Sequence, residues 1–232
     1  MSQNPWRLRR LLMATSSLYL ITVLMPYALF LVIPVLDPDI LSLILYIPLM
    51  GVLYVAVVEE IAQGAPEEYR YASYVALFVH FEGHGFHWAA NRIHNFMPQS
   101  CPAELLSLVY LLDEVLGHAI MFCGLIAFFS ILSVCELKHS EHLEESVSWC
   151  LPWAALFGLC LALSFLEGIF VLGFIVLSLV YVALVFAISR GRIALLRRTF
   201  TMFWLLSIMF TYIWIATYAM FFGLRQPSEI LR

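Results

Sequence analysis

From Cys150 to Ser189 the chain runs forty residues with one charged side chain, Glu167. A single straight helix of that length would be about 60 Å long, roughly twice a membrane's hydrocarbon core. The stretch must therefore fold back on itself, and Glu167-Gly168 is the one plausible break. Five or more apolar runs in the chain approach the ~20 residues that a membrane crossing needs. The predicted fold is all-α, a polytopic membrane bundle in one domain over residues 1–232. Seven helices are expected, at about 11–33, 40–62, 71–97, 102–135, 150–166, 169–189 and 200–222. Pro34 to Asp39, with two prolines and two aspartates, reads as a turn. Gln63 to Arg70 and Glu136 to Ser148 read as polar loops.

Composition supports this class. The chain is 63% hydrophobic and 12% charged, whereas a soluble domain carries about 25% charged residues. No basic run with interleaved aromatics suggests a nucleic-acid partner. The five cysteines form no CxxC pair and read as small buried apolar residues. Arg7, Arg9 and Arg10 precede the first apolar run, but that run is too long for a signal-peptide core and reads as an uncleaved span.

Basic residues orient the bundle. With a cytoplasmic N-terminus, the inner side receives Arg7, Arg9, Arg10, Arg70, Lys138, Arg190, Arg192, Arg197 and Arg198. The outer side receives Arg92, Arg225 and Arg232, so nine inner charges face three outer ones, as the positive-inside rule requires. The expected location is a bacterial-type inner membrane or its equivalent.

Helix three carries His80, His84, His87, Asn91 and His94 at spacings of 4, 3, 4 and 3. On an ideal helix these fall in a stripe about 80° wide. Ionisable side chains at membrane depth mark functional sites by default. Helix four carries Asp113, Glu114 and His118, of which the last two share a face. A short connection makes helices three and four antiparallel neighbours. Counting back from it places Glu114 near the level of Phe86 and His118 near that of His84. Two clusters in sequence thus become one expected site.

Imidazole with carboxylate suits zinc, iron, manganese or copper. His84, His87, His118 and Glu114 are the expected ligands of a divalent transition metal, zinc or iron. His80, His94 and Glu60 extend the set towards a second ion, because so many donors exceed one tetrahedral zinc. Asp113 and Glu82 are the candidates for acid–base work. Glu82 faces nearly opposite the stripe, while Gly83 and Gly85 permit close approach of another helix. Arg92 is an expected ion-pair partner for Asp113. His139 and His142 fall in the charged inner loop and read as solvated.

The leading functional expectation is an integral membrane metalloenzyme, a hydrolase or oxidoreductase, acting on a lipid or other apolar substrate. His80-x3-His84-x2-His87 superficially resembles the first histidine box of membrane desaturases and hydroxylases, whose later paired histidines are missing here. The size and polarity are similar to those of seven-helix membrane amidohydrolases, but helix seven lacks histidine. Two alternatives stand beside it. A proton or metal-ion transporter would use such His and carboxylate chains. A haem-binding electron-transfer protein would use His80 and His94, fourteen apart, with His118 the one partner on another helix.

Overall fold

The structure is a computed structural model describing residues 5–32, 38–98, 100–139, 146–192, 196–227 and 230, with side chains described at all of these but 5, 25–32, 38–45 and 95. The described residues form seven long helices and no strand. They are α1 (Pro5–Val32), α2 (Pro38–Ile61), α3 (Glu67–Phe96), α4 (Ala103–His139), α5 (Val147–Glu167), α6 (Val171–Ser189) and α7 (Thr199–Phe222). Four of them, α4 to α7, are long and apolar enough to cross a membrane.

Helix boundaries follow local chemistry. Pro66 precedes α3, and Glu67 and Glu68 occupy its first turn, where acidic side chains complement the helix dipole. Helix three therefore begins at Glu67 rather than Tyr71. Proline suits the first helical position, and α2 starts at Pro38 instead of Ile40. Most of the expected turn from Pro34 lies outside the described residues, as do Glu141, His142, Glu144 and Glu145. The long apolar stretch stops at Glu167 and resumes at Val171. Ile169, with φ of 50°, makes the reversal between them.

The helices close into a ring. α1 packs on α2 and α5, α2 on α3, α3 on α4, α4 on α6 and α7, and α7 on α5. Aromatic side chains fill the centre, with Phe129 stacked on Trp204 at 4.6 Å and Tyr54 against Phe128 at 5.1 Å. Such pairs contribute about 0.5–1.5 kcal/mol beyond burial.

One end of the ring gathers charge. Arg7 meets Glu60 at 3.3 Å, and Arg70 meets Glu59 at 3.0 Å. Glu136, expected in a solvated loop, instead sits fully buried in the last turns of α4. Its carboxylate accepts hydrogen bonds from Phe200 N at 2.9 Å and from Thr201 N and Oγ1 at 2.8 Å each. Arg198 donates to its backbone carbonyl. A carboxylate on the first N–H groups of α7 satisfies donors that the helix cannot, and it complements the dipole. The opposite end carries the α3–α4 connection, the α5–α6 hairpin and the end of α7. Gln226 joins them, donating to Glu167 O at 2.6 Å and to Glu114 Oε2 at 3.3 Å.

Candidate functional site

The site lies on the seam between α3 and α4. Three glycines bring the two backbones together. A Cβ at Gly83 would stand 2.6 Å from Met121 Cα. One at Gly124 would stand 2.8 Å from His80 Cα, and one at Gly117 3.0 Å from His87 Cα. Small residues permit this approach. Partners run in opposite order along the two helices, so the seam is antiparallel. Facing pairs are displaced by two to four residues from the register counted in sequence.

Within α4 the segment Leu111–Gly117 is a π-helical turn. Its wider hydrogen bonding, from residue i to i+5, is frequent at functional positions. The turn carries Asp113 and Glu114, and His118 follows it directly. The His118 backbone N–H goes to Val115 O. The Glu114 carbonyl accepts instead from His118 Nδ1 at 3.0 Å. Because a carbonyl only accepts, His118 carries its proton on Nδ1.

Asp113 is buried and faces α3, with Oδ1 2.6 Å from His87 Nδ1. The contact lies off the line of a hydrogen bond, since neither atom has such a partner by angle. It is an ion-pair contact in distance. The His87 and His118 rings stand 4.1 Å apart between centroids. Glu114, with 23% of its side chain exposed, lies 3.6 Å from His118 Nδ1, beyond hydrogen-bond reach. Arg92, expected beside Asp113, stacks on Phe96 at 4.7 Å. The α5–α6 hairpin covers the site, because a Cβ at Gly168 would stand 2.8 Å from the His118 ring.

The histidine stripe divides between two neighbours. His87 turns to α4, His84 meets α2, and His80 bonds to both. His80 is 1% exposed. Its Nδ1 bonds Met121 O at 2.9 Å, and its Nε2 meets the Tyr46 hydroxyl at 3.1 Å. The carbonyl fixes the proton on Nδ1, so Nε2 accepts from Tyr46. Both ring nitrogens are therefore engaged by protein, and His80 has no lone pair left for an ion. His84 lies among Tyr46 at 4.6 Å, His80 at 4.7 Å and Trp88 at 5.0 Å, with its Nδ1 unpartnered.

The remaining candidates stand apart. His94 and Glu82 are exposed. Glu60 is paired with Arg7 at the other end of the ring. Tyr46 escaped sequence reasoning, since nothing local to α2 distinguishes it from other apolar-face aromatics. Among the described residues, no group of three or more His, Cys, Asp and Glu side chains is arranged to hold a metal ion. The donors stand in pairs: His87 with Asp113, and His118 with Glu114. No family model matches the chain, and no curated protein or solved structure is similar to it.

Proposed function

We propose that the chain is a seven-span membrane protein with a cytoplasmic N-terminus, of a bacterial-type inner membrane or its equivalent, and that it is an enzyme acting on a lipid or other apolar substrate. The reaction centre in this reading is His87, Asp113, His118 and Glu114. The observation that carries it is the π-helical turn, which sets Asp113 2.6 Å from His87 while His118 stands 4.1 Å from the same ring. Two separated clusters meet at a local distortion that helix propensity alone does not favour, and such distortions mark functional positions.

The donor types suit a transition-metal ion, although among the described residues they stand in pairs rather than threes. Ligating histidines ordinarily give their other ring nitrogen to a carbonyl or carboxylate. His118 Nδ1 bonds the Glu114 carbonyl, and His87 Nδ1 lies beside Asp113. The Nε2 of each ring would hold the ion; the Glu114 carboxylate, which stands nearer the Nδ1 side of His118, would join them only by moving from Gln226. One ion, rather than two, suits this set, because His80 is engaged and His94 and Glu60 lie elsewhere. Bound there, zinc or iron would supply Lewis acidity or an activated water or oxygen species. Asp113 orients His87, and the Gly168 hairpin shields His118 from solvent.

Elemental mass spectrometry of the full chain in detergent tests the reading, with His87→Ala and His118→Ala beside wild type. The expected result is a transition metal in the wild type that both variants lose. A wild type without metal, or variants that retain it, would overturn the metal assignment.

A further inference from the structure

A second polar system lies behind His80, among α1, α2 and α3. Tyr19, Tyr46 and Tyr54 are all buried there, at 5%, 2% and 1% exposure. Tyr46 is bonded to His80, and Tyr19 meets Ser164 Oγ at 3.1 Å. The Tyr54 hydroxyl lies beside that of Tyr46 without a hydrogen-bond partner of its own. Thr15 Oγ1 is likewise buried and unpartnered, one helical turn from Tyr19 on the same face of α1. Buried hydroxyls are rarely left unsatisfied, and water is their ordinary partner where protein supplies none.

We propose that Tyr54, Tyr46 and His80 form an oriented proton relay, completed by water bound at the Tyr54 and Tyr46 hydroxyls. The direction follows from the bonds. Met121 O holds the His80 proton on Nδ1, so Tyr46 must donate to Nε2. The Tyr46 oxygen is thereby left as an acceptor towards Tyr54. In a forward step the Tyr46 O–H breaks and an N–H forms at His80 Nε2. The Tyr46 oxygen takes a proton from the bound water, and the water takes one from the supply behind it. The Nδ1 proton stays bonded to Met121 O, so the imidazolium discharges by returning its Nε2 proton to the Tyr46 oxygen. One proton thus moves between the bound water and His80, no electron moves, and its return along the same bonds resets the chain. The relay does not depend on a metal at His87 and His118.

Infrared spectroscopy of the full chain in lipid bilayers, with ring-labelled tyrosine, tests this on transfer to heavy water. The Tyr46 signal is assigned by difference with Tyr46→Phe. The Tyr46 hydroxyl is expected to exchange within minutes, and Tyr54→Phe, which removes one oxygen, slows it at least tenfold. Tyr181, bonded to Ser133 at 2.9 Å in the packed core, is the slow reference. Tyr46 exchange as slow as that of Tyr181, or an unchanged rate in Tyr54→Phe, would overturn the relay. Nitrogen-15 resonance of His80 in the wild type is an independent check needing no variant. A proton on Nδ1 is expected, and a proton on Nε2 would overturn the direction. The metal content of the same samples reads the proposal at His87 and His118 separately.

Discussion

Gly83 and Met121 lie backbone against backbone. A Cβ on the glycine would stand 2.6 Å from Met121 Cα, closer than real Cβ contacts allow. The obstacle is main chain, so no rotamer change relieves it. Gly83→Ala is expected to force α3 away from α4 and to cost about 1–3 kcal/mol, the usual range for overpacking. Gly85→Ala is the control, since nothing lies within 4 Å of its Cβ position. Unfolding in detergent should separate the two variants clearly.

Asp113 Oδ1 stands 2.6 Å from His87 Nδ1. Asp113→Asn keeps the shape and removes the charge beside the ring. If the two rings hold an ion, the loss should weaken metal affinity by about 10–100-fold, as for other partners that orient ligating histidines. Competition with a chelator of known affinity measures this. Unchanged affinity would show that the 2.6 Å contact is packing alone.

Glu136 links α4 to the first turn of α7 by three hydrogen bonds to its carboxylate. Hydrogen bonds to charged groups contribute about 1.5–3 kcal/mol each. Glu136→Gln keeps the volume but replaces one acceptor oxygen with a donor facing N–H groups. Loss of at least about 2 kcal/mol is expected, with early fraying of the start of α7. Hydrogen exchange at the Phe200 and Thr201 amides reports it site by site.

The Arg7–Glu60 pair should matter less. Arg7 is 66% exposed and Glu60 4% exposed, so solvent screens the cation while the carboxylate is already dry. Arg7→Met is expected to cost roughly 1 kcal/mol, well below the effect at Glu136. Equal losses in the two variants would place the Arg7 side chain in a drier setting than its exposure indicates.

What the residues disclosed, and what they hid, divides by range. The fold-back at Glu167 was legible because the membrane's thickness limits helix length. The pairing of His87 with the Asp113 cluster was legible to within a helical turn, because a short connection fixes the antiparallel partner of α3. The π-helical turn was not legible, since LLDEVLG carries no signal that distinguishes it from ordinary helix. The histidine stripe misled in one respect. Sharing a face on an ideal helix does not mean sharing a partner: Tyr46 on α2 and the Met121 carbonyl on α4 engage both ring nitrogens of His80, while Asp113 on α4 meets His87. Glu136 was misread because its partners are 64 and 65 residues away.

The wide turn at Leu111–Gly117 also bears on how this gene tolerates deletion. Elsewhere in α4, losing one residue rotates everything beyond it by about 100° and scrambles the packing. Within the wide turn, losing one residue leaves an ordinary α-helix, and the chain from His118 to His139 keeps its orientation. Such an allele would keep its shape but swing Asp113 away from His87. A deletion scan along α4 should thus yield one narrow window of stable protein that lacks the Asp113–His87 contact.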